Sequence, residues 1–206
     1  VTNKWMLGTR NSFFIGICAT FLATALGTVA ALGLSRRNMP FKGTIMAILI
    51  SPMIVPLIIT SAGMFFFYSK IGLTHTYLGL ILAHTALGTP FVVITVTATL
   101  TGFDTNLIRA SHSLGADTMR TFFKVIMPLI LPGVISGGLF AFITSFDEVV
   151  VVMFVGSVEQ ITIPKQMWAG LRQETSPVIL CMATCLVALS IALLTTVELL
   201  RRRSER

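Results

Sequence analysis

Five long stretches without a charged residue constrain this chain more than any other feature. Each is at least as long as the roughly 20 residues that cross the hydrocarbon core of a bilayer as an α-helix. These stretches cover residues 11–35, 43–69, 71–103, 125–146 and 175–197. Because 54% of the residues are hydrophobic and 11% are charged, a water-soluble fold could not cover its apolar surface with polar groups. The sequence predicts an all-α membrane protein and argues against a soluble enzyme.

The whole chain, 1–206, is predicted to form one transmembrane domain with a polar loop at about 102–124. Its five spans are placed at about 11–34, 44–67, 77–100, 129–153 and 177–199. Lys and Arg favour the cytoplasmic side of short loops. Ten of the 15 basic residues lie on one side of these spans and five on the other, which predicts a cytoplasmic C-terminus and an external N-terminus. An external start at Val1 suggests a preceding helix and six spans in the parent protein, with a processed five-span protein as the alternative.

The net charge of +7 does not indicate a nucleic-acid partner. The basic residues flank the apolar stretches and do not alternate with exposed aromatic residues, as a nucleic-acid surface would require. Cys18, Cys181 and Cys185 lie inside apolar stretches, where cysteine behaves as a small hydrophobic residue. No metal site is predicted, because His or acidic ligands are not found near them in sequence.

Three features inside the spans predict helix contacts. The first span carries small residues every three to four positions, a pattern that lets another helix approach closely. These are Gly16, Ala19, Ala23, Gly27 and Ala31. Pro52 and Pro56 predict a bend in the second span, either beside a transport pathway or purely structural. His84 in the third span either forms a hydrogen bond between helices or lines the pathway.

The polar loop has a helical pattern of its own. Asp104 is a plausible N-cap for a short amphipathic helix that ends near Gly115, and Asp117 or Thr118 can cap a second helical piece. Pro128 marks the entry into the fourth span. The loop is expected to form a compact elbow at the membrane surface, suited either to a partner's groove or to the lipid interface.

The elbow resembles a known signature. Arg109-Ala110-Ser111, three residues, Gly115, nine residues and Val125-Ile126-Met127-Pro128 are similar to the "EAA, three residues, G, nine residues, I-x-L-P" loop of membrane subunits of binding-protein-dependent ABC importers. The spacing of Ala, Gly and Pro matches that signature throughout. Arg109 stands in place of its Glu and Ser111 in place of its second Ala, so a contact that needs a carboxylate there is not carried over.

Further stretches resemble the spermidine/putrescine group of these permeases. They include Leu26-Gly27-Thr28-Val29, Ala83-His84, Ser145-Phe146-Asp147-Glu148 and Thr162-Ile163-Pro164. The resemblance implies the type I ABC importer permease fold, in a bacterial inner membrane, with the elbow as a cytoplasmic coupling helix. It also implies that two ATPase subunits grip the coupling residues, which are Arg109, Ala110, Ser111, Leu114, Gly115 and Ala116.

Acidic residues interrupt the apolar run of the fourth span. A charge at the centre of a membrane helix costs about 3 kcal/mol, so Asp147 and Glu148 are expected to face a watery cavity or a partner. Adjacent helix positions point about 100° apart. We therefore favour Asp147 for a cationic substrate and Glu148 for a structural contact, with Phe146 and His84 beside the pathway. The alternative for Asp147 is an ion pair with a partner subunit, Lys165 or Arg172.

The external segment after the fourth span combines apolar and basic residues. A surface or re-entrant helix is predicted over 164–171, with Trp168 at the membrane interface. Lys165, Gln166 and Trp168 are the predicted contacts with a periplasmic substrate-binding protein. Trp168 is equally explained as an interfacial anchor.

The chain has no GxxxxGK[ST] phosphate loop, so ATP hydrolysis is assigned to a separate subunit. No cofactor is expected on this chain, whereas ATP and Mg would bind the partner ATPase. The predicted function is the membrane-spanning part of an importer for a small solute, a polyamine or related cation, beside a second permease subunit, homologous or identical. The alternatives are an ion-coupled secondary transporter, for which no internal repeat is evident, or a membrane scaffold subunit.

Overall fold

A computed structural model describes residues 2–36, 39–173 and 177–204, and these residues form helices joined by short connections. The α-helices are α1 (Thr2–Leu34), α2 (Lys42–Ile54), α3 (Leu57–Ile71), α4 (Tyr77–Thr101), α5 (Asn106–Ser113), α6 (Thr118–Thr121), α7 (Met127–Phe146), α8 (Val150–Val155), α9 (Ile163–Gln173) and α10 (Pro177–Ser204). A π-helical turn, Phe122–Ile126, joins α6 to α7. The described residues contain no strand, which agrees with the predicted all-α class.

The core is a bundle of α1, α4 and α7. Small residues permit the close approach of these helices, as the sequence predicted for α1. Ala19, Ala23 and Ala31 are buried, and a Cβ added to Gly27 would lie 2.6 Å from Val92 Cβ on α4. Contacts of Ala23 with Gly88 and of Gly27 with Val92 show that α1 and α4 run parallel.

Helix α7 runs antiparallel to the other two core helices. An added Cβ on Gly88 would lie 2.9 Å from Ala141 Cβ, and one on Gly137 would lie 2.8 Å from Val92 Cα. The bundle therefore has two ends. The elbow end holds α5 and α6, and the opposite end, called here the loop end, holds the start of α4 and residues 147–162.

The predicted bend in the second span is a complete break. Helices α2 and α3 meet at an angle of 103°. Pro56 has no N–H to continue the helix, and Val55 before it adopts an extended conformation with ψ of 135°. Because α1 ends at the elbow end and α4 begins at the loop end, α2 and α3 together carry the chain across as one broken span.

In the described part of the chain, three helices are long and apolar enough to cross a membrane. These are Lys4–Leu34, Tyr77–Thr101 and Thr118–Phe146, and the α2–α3 pair makes a fourth. The fifth predicted span, 177–199, falls on α10, whose described apolar stretch is the shorter Ile179–Ala192. The prediction of a continuous fourth span to residue 153 is wrong, because the helix ends at Phe146 and restarts as α8.

Candidate functional site

The elbow between α4 and α7 has the predicted helix, turn and second helix. Helix α5 ends in a left-handed turn at Gly115, whose φ of 81° is unfavourable for a residue with a side chain. The N–H of Ala116 donates to Ser111 O at 3.0 Å, which closes the turn. Asp104 does not occupy the N-cap position, which is Thr105, but its Oδ1 accepts a hydrogen bond from the N–H of Asn106 at 2.9 Å.

Side-chain hydrogen bonds hold the two arms of the elbow together. The hydroxyl groups of Ser111 and Thr121 lie 2.9 Å apart, and both residues are buried. Asp117 caps α6, because its Oδ1 accepts a hydrogen bond from the N–H of Arg120 at 2.7 Å. The elbow is therefore folded on itself and does not depend on an outside partner for its internal contacts.

The predicted coupling residues lie together on this elbow, but only some of them face outward. Arg109, Ala110 and Gly115 are exposed, and Ala116 is half-buried. Leu114 is 88% exposed, whereas Ser111 is used inside the elbow. Met119 and Phe123 are also exposed apolar residues on the α6 side. Their exposure could not be read from the sequence, because an apolar residue type does not show whether its side chain is buried.

The predicted pathway residues lie at the loop end, far along the bundle from the elbow. His84 is buried in α4, and its Nδ1 lies 2.7 Å from Ser145 Oγ on α7. Of the two alternatives for His84, this contact supports the hydrogen bond between helices, and its place beside the pathway stays a prediction. Among the described residues, the His84 Nε2 atom has no hydrogen-bond partner. Ser145 was not singled out from the sequence, since a serine in an apolar helix gives no signal of its distant partner.

Phe146 and the two acids that follow it occupy three different environments. Phe146 is buried against aromatic rings, with its centroid 5.0 Å from that of Phe13 and 5.3 Å from that of Phe142. Asp147 is exposed at the C-terminal end of α7. Glu148 is buried, and its Oε1 accepts a hydrogen bond from the N–H of Val151 at 2.8 Å. Of the two carboxylates, the one on Asp147 is therefore open to a ligand.

The helix predicted over 164–171 is present as α9. Gln166 is half-buried and Trp168 is 45% exposed. The Nζ of Lys165 donates to backbone carbonyls of the loop end, at 3.0 Å to Val152 O and 3.2 Å to Ser157 O. Burial lowers the pKa of this ammonium group. Lys165 thus makes contacts inside the chain, and the alternative partner of Asp147, the Arg172 side chain, lies outside the described residues.

Three further polar residues order the loop end. The buried amide of Asn11 donates to Glu159 O at 2.8 Å and to Ile161 O at 2.9 Å. Gln160 Nε2 donates to His75 O at 3.0 Å, and the hydroxyl of Tyr77 donates to Asn11 Oδ1 at 3.1 Å. These contacts join positions up to 150 residues apart in sequence, so local patterns could not predict them.

The described residues contain no cluster of three or more His, Cys, Asp or Glu side chains that could hold a metal ion.

The candidate site has two parts, which lie at opposite ends of α7. One is an exposed apolar elbow, and the other is an exposed carboxylate beside an ordered loop.

Comparison with known proteins decides between an importer permease, a secondary transporter and a membrane scaffold subunit. Residues 23–206 match the protein family described as "Binding-protein-dependent transport system inner membrane component". The chain belongs to this family. It is a multi-pass inner-membrane component of a transport system, and the resemblance seen in its elbow is confirmed.

Curated relatives narrow the group. The chain is 31% identical over 194 residues to the spermidine/putrescine transport system permease protein PotC of Haemophilus influenzae, covering 94% of this chain and 76% of that protein. It is 30% identical over 186 residues to the putrescine transport system permease protein PotI of Escherichia coli, covering 85% of this chain and 65% of that protein. The membership of the spermidine/putrescine type of permease, predicted from the sequence, is confirmed.

Solved structures show the same fold. An inward-facing structure of the MetNI methionine ABC transporter superposes with a TM-score of 0.76 at 20% identity, covering 98% of this chain and 96% of that one. An amino acid ABC transporter superposes with a TM-score of 0.71 at 16% identity, covering 98% and 94%. The chain therefore has the fold of an ABC importer permease, as predicted.

Proposed function

We propose that this permease passes a small organic cation of the polyamine class through the membrane. The cation is released by a periplasmic binding protein, and ATP hydrolysis on partner subunits drives the transport. The names of the curated relatives, which include spermidine and putrescine, support this substrate class. The exposed carboxylate of Asp147 is the observation on this chain that carries it.

Asp147 has the chemistry that a protonated amine requires. Its carboxylate is exposed at the end of α7, whereas the neighbouring carboxylate of Glu148 is buried and accepts a hydrogen bond from the N–H of Val151. Attraction between unit charges of opposite sign about 4 Å apart is near 4 kcal/mol at an effective dielectric constant of 20 and near 1 kcal/mol in water. Exclusion of water around a bound cation therefore strengthens the contact. Phe146 and His84 support this end of α7 from inside the bundle.

The test is uptake of radiolabelled spermidine by the complete transporter in proteoliposomes, with binding protein and ATP supplied. For Asp147→Asn, the initial rate is expected to fall at least ~10-fold, which corresponds to about 1.4 kcal/mol in the barrier. Glu159→Gln is the matched control, because it removes one exposed carboxylate from the same end of the bundle. Equal rates for the two variants would refute the role of Asp147.

The elbow is proposed to dock on two cytoplasmic ATPase subunits, which bind ATP and Mg while this chain binds neither. The exposed side chains of Leu114, Met119 and Phe123 on the same elbow support an apolar contact with a partner groove. Arg109, which replaces the Glu of the family signature, is exposed on the same elbow.

Leu114→Glu tests the docking without disturbing the packing of the elbow. We expect the ATPase subunits to be lost from the purified complex, because a carboxylate would be buried in the apolar contact. Thr44→Glu is the control, since it adds the same charge to an exposed position in the first turn of α2. Retention of the ATPase by Leu114→Glu at wild-type stoichiometry would contradict the proposal.

Two further partners are proposed, a second permease subunit and the periplasmic binding protein. A second permease subunit, homologous or identical, completes the passage, and the binding protein meets the loop end near Gln166 and Trp168, with Lys165 at its base. The C-terminus lies in the cytoplasm with the elbow. The ten to five distribution of basic residues supports this orientation.

A further inference from the structure

Helix α8 is a six-residue apolar helix with a charged side chain bound at each end. At its start, the Glu148 carboxylate accepts a hydrogen bond from the N–H of Val151 at 2.8 Å. This N–H group belongs to the first turn, where a helix has no internal acceptors. A negative charge at this end is also favoured by the helix dipole.

The other end of α8 is bound by Lys165, which lies on α9. Its Nζ donates to Val152 O at 3.0 Å, to Ser157 O at 3.2 Å and to Gly156 O at 3.5 Å. A cation at the C-terminal end complements the dipole in the same way as the anion at the start. Three carbonyl oxygens around one ammonium group also match its three N–H donors.

The sides of α8 are fixed by packing and by one more backbone contact. Val151, Val152 and Val155 are fully buried in the apolar cluster formed with α1, α3 and α4. Val155 O accepts a hydrogen bond from the N–H of His75 at 2.8 Å. An added Cβ on Gly156 would lie 2.8 Å from Val152 O, so a side chain there would disturb the carbonyl that Lys165 binds.

A helix this short is not stable by itself, because the conformational entropy lost in forming the first turn exceeds the stabilisation from its few hydrogen bonds. Its position therefore depends on the burial of its valines together with the groups bound at its two ends. Asp147 lies three residues before α8 and immediately before Glu148, so a shift of α8 would be passed along the backbone to Asp147. The backbone of 147–149 is non-helical, so its polar groups require partners other than those of a regular helix.

We propose that Lys165 is a positioning residue for transport, which holds α8 through its backbone carbonyls and thereby holds Asp147 where it meets the solute. This inference rests on the proposed function in its last step, the contact of Asp147 with a cation. Lys165 itself touches no solute. Its role differs from the binding-protein contact predicted from the sequence, because the ammonium group is used within the chain.

The first experiment measures directly whether Lys165 stabilises α8. In the complete transporter, Lys165→Met is expected to speed amide hydrogen exchange over residues 150–157 at least ~10-fold, while α4 and α7 are unchanged. Lys70→Met, an exposed lysine at the end of α3, is the matched control. Lys165→Arg keeps a charged donor and is expected to restore slow exchange. Unchanged exchange in Lys165→Met would overturn the inference.

The second experiment asks whether Lys165 acts through Asp147. Spermidine uptake is compared for Lys165→Met, Asp147→Asn and the double variant. Residues that act as one unit give non-additive losses, so the double variant is expected to transport no worse than Asp147→Asn. Losses that multiply would overturn the inference, as would unchanged uptake in Lys165→Met. Lys165→Gln, which keeps a neutral donor, takes the place of Lys165→Met if the latter does not assemble.

The outcomes separate the inference from the proposed function. Unchanged uptake in Asp147→Asn alone would refute the role of the carboxylate, whatever Lys165 does. Reduced uptake in Asp147→Asn together with normal uptake in Lys165→Met would overturn only the positioning role. A purely structural role for Lys165 would lower the amount of assembled transporter without producing non-additive uptake.

Discussion

Gly27 permits a close approach between two helices of the core, and its replacement by alanine should be costly. An added Cβ would lie 2.6 Å from Val92 Cβ and 2.8 Å from Val92 Cγ1. Real Cβ atoms essentially never come within 3.0 Å of another heavy atom in this way. Val92 is fully buried and branched at Cβ, so the clash falls next to the backbone of α4 and cannot be relieved by a rotamer change. The helices themselves would have to separate.

The magnitude follows from two opposing effects. Overpacking a well-packed core by one methyl group costs about 1–3 kcal/mol. Replacing a glycine in the middle of a helix by alanine gains about 0.5–1 kcal/mol. Gly63→Ala in α3 provides the control, since an added Cβ there meets nothing within 4 Å. The helix gain is common to both variants, so the difference between their free energies of unfolding isolates the overpacking cost of about 1–3 kcal/mol.

Equilibrium unfolding in mixed detergent micelles, followed by circular dichroism, measures both variants against the unmodified protein. Gly27→Ala should unfold at a lower denaturant concentration than Gly63→Ala. Gly63→Ala should unfold at or above the concentration needed for the unmodified protein. Equal free energies of unfolding for the two variants would refute the argument that α1 and α4 depend on a glycine at this contact.

Two further predictions concern hydrogen bonds between distant segments. Ser145→Ala removes the partner of His84 Nδ1 and should lower the free energy of unfolding by about 1–3 kcal/mol in the same assay, whereas the exposed Ser69→Ala should leave it unchanged. Equal values for both would contradict this. Asn11→Ala removes both donors to the loop end and should speed amide exchange over residues 157–162, measured by mass spectrometry. Exchange at the wild-type rate would show that the loop is held by other contacts.

The sequence predicts the helical class, the elbow and the close-packed face of α1, because each depends on a local pattern. Uncharged length sets the spans, and small residues at three- to four-residue intervals set the contact face. The turn after α5 follows from Gly115, which supplies the positive φ of 81°. The break between α2 and α3 was expected as a bend, since Pro56 cannot continue a helix.

Features that depend on contacts between segments distant in sequence could not be predicted. The fourth span was extended to residue 153 because hydropathy continues through Val150–Val155, although the backbone breaks before that segment. The start of α8 is stabilised by Glu148. Sequence analysis favoured Glu148 for a structural contact but did not identify the group that it binds. The place of Lys165 depends on α9 folding back over α8, and no spacing in the sequence gives that contact.

The unbroken path from α6 through the π-helical turn to the end of α7 makes a single lever arm. It runs from Thr118 to Phe146, 29 residues, with no break in its helical backbone. At about 1.5 Å per residue the arm is about 43 Å long, so a rotation of about 10° at the elbow would carry the far end through about 7 Å. If the elbow binds an ATPase as proposed, a small displacement at one membrane surface would be transmitted, enlarged, to the Asp147 carboxylate at the other.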